Sequence, residues 1–310
     1  MIVGQVTAAG SNAPLDHVQI YLRKPSGEVI AKSLTNATGT FMVQGVFRDY
    51  YIVAAEREGL QPVDEDLDAT YSFGTATVTI VMLPVTVGAT APSGTVSARM
   101  LGVSERAMEA YKKGLAELHD KKNPEASLPY FQRALKEAPG FCEAHFQSGL
   151  AFSALGRNEQ AESAFRKSIE LCKERFLGAR FRLAAVLVDL KKYSEAESMA
   201  HEGLAARPES WLGNFELGRA LIGLGRQDEA ETSIRKAVKL NPALDKGYLL
   251  LANIHMARKE PAAVVQDLDD YLRVDPQGPQ SDQARRVRQQ MQRQVDQTKS
   301  ASPSLPIPPR

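Results

Sequence analysis

The chain has 310 residues, enough for two domains, and its 43% hydrophobic and 24% charged residues are the balance of an ordinary folded protein. A net charge of +1 gives no strong field to draw nucleic acid or an anionic membrane. No apolar run is long enough for a transmembrane helix, and two cysteines, Cys142 and Cys172, exclude a disulfide-rich scaffold.

Met1 leads directly into "IVGQVTAAG", without the basic and apolar segments of a signal peptide. Up to about residue 85, β-branched and aromatic residues alternate with polar ones between Gly, Pro and Asn breaks. "HVQIYL" places Val18, Ile20 and Leu22 on one strand face. "TATVTIVML" places Val78, Ile80 and Met82 on one face and Thr77 and Thr79 on the other. "NATGTFMVQG" reads as a turn and a strand, and "DYYIVAAE" as another strand. Period-two alternation with turns every 8–12 residues predicts an antiparallel β-sandwich. Residues 85–103 are small, apolar and turn-rich; they read as a linker, with a short strand around Val96.

From Ser104, a predicted N-cap, the period becomes helical. Ser127, Ala161, Ala196, Ala230 and Val264 align at spacings of 34, 35, 34 and 34. In the same register fall Leu115, Gly149, Ala184, Gly218 and Ala252, then Phe131, Phe165, Ala200, Ile234 and Leu268. A fourth column holds Pro139, Lys173, Pro208, Pro242 and Pro276. The pattern predicts pairs of short antiparallel helices, with small residues at the close approaches and proline ending each second helix. Gly156 and Gly225 mark the turn inside the hairpin, where Lys191 and Lys259 stand in other units. Ser194 with Glu197, and Asp228 with Glu231, are expected capping boxes. Gly223 has no counterpart in this register.

This 34-residue period resembles the tetratricopeptide repeat family, with five units at 108–141, 142–176, 177–210, 211–244 and 245–278. Residues 281–297, with Ala284, Val287, Met291 and Val295 in one stripe, suit a helix that caps such an array. At the other end, Gly4, Pro14, Gly39, Phe41, Tyr51 and Gly59 carry a resemblance to the carboxypeptidase regulatory-like domain, a prealbumin-like sandwich without catalytic residues. That resemblance implies a bacterial, periplasmic or cell-envelope setting.

The expected architecture is multidomain. An all-β sandwich covers 1–84 and a linker 85–103. An all-α solenoid of five helix–turn–helix repeats with a capping helix covers 104–298, and a disordered Pro-rich tail 299–310.

Chemistry-bearing patterns are sparse. The glycines of "LGRALIGLGRQ" follow no strand, and Leu224 stands where a phosphate loop needs lysine. His17, His119, His145, His201 and His255 are scattered without HxxE or HExxH spacing, and no GxSxG elbow occurs. "DEDLDAT" alternates Asp64, Asp66 and Asp68 as a calcium loop begins, but lacks the turn glycine and the closing Glu. No catalytic residue, cofactor or metal is expected. Cys142 and Cys172 open and close one hairpin, so its antiparallel helices bring them to the same side. They read either as a disulfide or as two buried thiols.

The first helices of the repeats line the concave face of such a solenoid. One column there reads Lys112, Phe146, Phe181, Phe215 and Leu249, and a second Ala116, Leu150, Ala185, Arg219 and Asn253. A third reads His119, Ser153, Val188, Ile222 and Met256. The expected partner groove comprises Phe146, Leu150, Phe181, Val188, Phe215, Arg219, Ile222, Asn253 and Met256. The carboxylate clamp of some family members needs Lys and Asn one turn apart in the first repeat; Lys112 fits, whereas Ala116 replaces the Asn. The expected function is a non-enzymatic adaptor that binds a protein or peptide partner and no nucleic acid. The alternatives are a carbohydrate- or calcium-binding sandwich, and self-association through the groove.

Overall fold

The computed structural model describes residues 1–24, 28–47, 50–60, 63–68, 75–84, 103–172 and 177–301. The expected linker, with its strand at Val96, lies outside them except for Val103, as do residues 302–310 of the tail. Two compact units divide the chain, Met1–Ala179 and Arg180–Arg310.

The first unit begins with strands β1 (Ile2–Ala8), β2 (Gln19–Arg23), β3 (Val29–Leu34), β4 (Thr40–Val43), β5 (Tyr50–Glu56), β6 (Val63–Asp68) and β7 (Ala76–Met82). They form two sheets, β4-β1-β7 and β3-β2-β5-β6. Alternate residues of both sheets turn inward to one core, among them Val6, Ile80 and Met82 from the first and Ile20, Leu22 and Val53 from the second. The expected faces of β2 and β7 are the observed ones. The pairing departs from an all-antiparallel sandwich, because β1 and β7 run parallel, with Ile2 opposite Ala76. The chain crosses from one sheet to the other before β7, so no hairpin imposes the antiparallel direction. Residues Asp64, Asp66 and Asp68 belong to β6, paired antiparallel with β5, rather than to a calcium loop. An extended strand spaces alternate residues along a line instead of wrapping them around an ion.

Helices follow in hairpins: α1 (Glu105–Leu115) continuing into a π turn (Ala116–Asp120), α2 (Pro124–Glu137), α3 (Cys142–Ala154) and α4 (Asn158–Cys172). Then come α5 (Leu177–Asp189), α6 (Tyr193–Ala206), α7 (Trp211–Gly223), α8 (Gln227–Leu240), α9 (Asp245–Ala257), α10 (Pro261–Val274) and α11 (Ser281–Ala301). α11 extends the expected capping helix to Ala301.

Three of the hairpins are closed by a glycine that faces a large side chain. A Cβ on Gly149 would lie 2.6 Å from the Phe165 ring, one on Gly218 2.4 Å from Ile234, and one on Gly114 2.5 Å from Phe131. The third hairpin uses Ala184 and Ala200 instead; there Phe181 fills the space that Gly203 and Gly213 leave open. Gly114 therefore plays the part that the sequence register assigned to Leu115. The π turn adds one residue between Gly114 and Ser127, making that interval 13 where Gly149 to Ala161 is 12. By the same shift Tyr111, not Lys112, precedes Phe146 in the aromatic column. The lysine of a carboxylate clamp is thus out of register as well.

The turns repeat in conformation. Lys122, Gly156, Lys191, Gly225 and Lys259 all have positive φ, between 53° and 77°. Each leads directly into a helix, so α6 begins at Tyr193 and α8 at Gln227, with Lys192 and Arg226 at the N-caps and no side-chain cap bond. The expected capping boxes are therefore absent: Ser194 and Asp228 already lie inside the first turn. Gly223 also has its reason. The Tyr193 ring lies where its Cβ would be, 2.3 Å away, so the end of α7 can pass against the start of α6.

Candidate partner-binding face

The expected groove residues separate into a buried set and an accessible set. Phe146, Phe181 and Phe215 are 5%, 2% and 7% exposed, and Val188 9%. Phe146 packs on Phe165, with ring centroids 5.6 Å apart. These residues are interhelical packing and present no aromatic strip to a partner; the Phe181 ring sits in the space that Gly203 and Gly213 leave open. In the first unit Leu150 is half-buried, and His119 Nε2 is held 2.8 Å from Gln147 Oε1.

Arg219 is also committed internally. Its Nη2 donates to Asp189 Oδ1 at 2.6 Å and its Nη1 to Glu216 Oε2 at 2.7 Å, with the guanidinium 5.9 Å from the Phe215 ring centre. Glu216 is buried, and burial pushes its carboxyl above the usual range, an effect that Arg219 only partly offsets. The arginine serves that buried acid before any ligand.

The accessible remainder in the second unit is Ile222, which is half-buried, and Asn253 and Met256, which are exposed, the last at 41%. Asn253 and Met256 border a cavity of about 220 Å³ whose floor is Leu249, Ala252, Leu268, Ala284 and Val287. Gln280 and Gln283 complete its rim beside Asn253. The floor is aliphatic and the rim is neutral carboxamide. Such a lining suits an uncharged aliphatic side chain with its main-chain amides. Sequence reasoning missed Gln280 and Gln283 because the apolar stripe of the capping segment gives Ala284 and Val287 but not the polar residues beside them.

A buried polar cluster joins α8, α9 and α10. His255, on α9, places Nδ1 2.5 Å from Asp267 Oδ2 on α10 and Nε2 3.2 Å from Glu231 Oε1 on α8. Arg258 bonds Glu231 and also Asp228. Burial pushes the Asp267 carboxyl up, and the His255 bond offsets this only in part. Burial also raises Glu231, but hydrogen bonds from Arg235, Arg258 and His255 outweigh it and hold the carboxyl at about 2. A depressed carboxylate lends stability that is complete above its unfolded pKa and is lost as pH falls through the folded one. Urea midpoints of the full chain should therefore drop between about pH 4.5 and about pH 2. Glu231→Gln should flatten that part of the profile; an unchanged slope would show that Glu231 carries none of it.

Two tetratricopeptide repeat models match, over residues 143–175 and 181–245. The hairpins over these residues match tetratricopeptide repeats. Curated relatives include human Protein O-mannosyl-transferase TMTC3, 24% identical over 174 residues, 51% of this chain. Another is Heat shock protein STI1 of Saccharomyces cerevisiae, 30% identical over 113 residues, 36% of this chain. The chain spans only 19% of the length of either. Among solved structures, MamA (41-end) from Desulfovibrio magneticus RS-1 superposes with a TM-score of 0.51 at 22% identity, covering 57% of this chain and 99% of that one. At that identity the likeness is one of fold. No helix among the described residues is long and apolar enough to cross a membrane.

Proposed function

We propose that the chain is a non-enzymatic adaptor whose tetratricopeptide repeats hold a segment of a protein partner against α7, α9 and α11. The observation that carries this reading is the aliphatic cavity rimmed by Asn253, Gln280 and Gln283, open beside exposed Met256. A repeat array buries its core between neighbouring units and leaves a long face free for recognition. The partner contacts expected from the sequence reduce to the accessible members, Ile222, Asn253 and Met256, with Leu150 on the first unit. The N-terminal sheets, read as a carboxypeptidase regulatory-like sandwich, supply a second contact surface.

A photo-crosslinking residue at position 256 of the full chain tests the reading in cells that make it. The expected result is one predominant adduct, identified by mass spectrometry, whose purified form binds the wild-type chain. Asn253→Trp, which fills the cavity from its exposed rim, should weaken that binding at least tenfold with the melting temperature unchanged. Binding that ignores a filled cavity would place the partner elsewhere, and light scattering would then show whether the adduct is a second copy of this chain.

A further inference from the structure

The repeat joints are held in a regular way, with one exception. After α2, α6 and α8 a proline ends the helix, and a side chain of the next helix bonds that proline's carbonyl six residues on. His145 Nε2 lies 3.1 Å from Pro139 O, Asn214 Nδ2 donates to Pro208 O at 3.3 Å, and Tyr248 OH donates to Pro242 O at 3.1 Å. After α10, Arg285 bonds Pro276 O and Ser281 Oγ donates to Asp275 O at 2.6 Å. Proline prevents the helix from continuing, and the side-chain bond satisfies a carbonyl the helix leaves open.

At the joint after α4 the sequence offers neither residue type. Lys173 stands in the proline column, and the residue six further on, Ala179, has no side-chain donor. At this joint alone the position before the proline column is a cysteine. Cys172, the last residue of α4, occupies the place of Ala138, Arg207, Asn241 and Asp275, each the C-cap of its own helix. Its sulphur meets that of Cys142, the first residue of α3, at bonding distance, with Cα atoms 5.8 Å apart and both side chains buried. That Cα separation lies within the span a disulfide requires. The chain has no third cysteine to compete for either partner.

We infer that Cys142 and Cys172 are covalently joined in the native protein, that the crosslink replaces the proline lock at this joint, and that the chain therefore matures in an oxidising compartment. In forming the bond the two thiols lose two protons and two electrons. A disulfide-bearing oxidant, such as an oxidised thiol–disulfide exchange protein, accepts them and becomes a dithiol. Reducing cytosol keeps such pairs open, whereas export compartments close them. The crosslink ties the end of α4 back to its own hairpin, so the last turn does not depend on the next helix. That matters here because the boundary between the two compact units falls a few residues on, at Ala179 and Arg180. Glu143 Oε2 lies 3.2 Å from Cys142 Sγ, and these three buried residues are also a potential set of metal ligands. A metal there requires two thiolates and excludes the crosslink.

Thiol trapping of the full chain separates these states. Cells that make the protein are quenched in acid and alkylated in denaturant without reductant, and the chain is mapped by mass spectrometry. The expected product is one linked peptide pair containing residues 142 and 172, with neither cysteine alkylated. Two alkylated cysteines would overturn both the crosslink and the compartment, and one equivalent of co-purifying zinc would overturn it in favour of a metal site. Hydrogen exchange of the purified chain tests the brace. Reduction should speed exchange of the amides of residues 168–172 at least tenfold and leave those of 134–138 unchanged. Equal exchange in the oxidised and reduced chains would show that the bond holds nothing in place. In a chain carrying Cys142→Ser and Cys172→Ser, adding Lys173→Pro should restore part of the protection; no recovery would overturn the equivalence with proline.

Discussion

Replacing His255 with leucine should destabilise the repeats by about 3–5 kcal/mol, the loss usual when one partner of a buried polar or ionic pair is removed. His255 is almost wholly buried, and Asp267, its partner at 2.5 Å, is buried as well. Without the imidazole the Asp267 carboxyl, already pushed up by burial, loses the bond that restrains it. A raised carboxyl favours the folded state below its unfolded pKa and weighs against it as pH rises through the folded one. The cost of His255→Leu relative to wild type should therefore be larger at pH 7 than at pH 4. Adding Asp267→Met should recover most of it, because the third hairpin has Leu187 and Met199 at these positions. Denaturant unfolding at both pH values reads all three chains. A double variant no more stable than the single would mean that the pair is not the source of the loss.

Phe165→Ala should cost about 3–5 kcal/mol, the range for deleting a buried aromatic side chain. The ring is fully buried and lies over Gly149 in space that a Cβ there would occupy. Gly149→Ala should also destabilise, by crowding that ring rather than by leaving a cavity. The two changes together should cost less than their sum, since the added methyl occupies part of the void. The third hairpin already uses Ala184 against Ala200. Additive losses in a double-mutant cycle would show that the two positions do not share one volume.

The helical array was legible in the sequence because its columns report contacts that recur. A small residue on one helix answers a large one on its partner, and proline or glycine marks each turn. The errors arise where one residue changes the geometry without changing the composition. The π turn over Ala116–Asp120 has no compositional mark, so the first hairpin was read one residue out of register and Lys112 was assigned the place of Tyr111. Ser194 and Asp228 look like caps, but a left-handed residue at 191 or 225 starts the helix before them. The candidate face was less legible than the fold. An aromatic column on the first helices reads the same whether the rings point outward or into a neighbouring helix, and burial shows the second. His255 and Asp267 did leave a signal: each breaks a column that is apolar or small elsewhere, at Phe152, Leu187 and Leu221, and at Ala164, Met199 and Ser233.

The π turn shows how such a chain tolerates change in length. One additional residue in the first hairpin is absorbed within five positions, and the Gly114–Phe131 approach that spans it is as close as that of Gly149 and Phe165. Because repeats touch chiefly their neighbours, a small insertion alters a single unit and leaves the spacing of later units intact. Lineages of such arrays can thus gain or lose single codons inside a repeat without losing the fold, a freedom that a domain built on long-range pairings does not have.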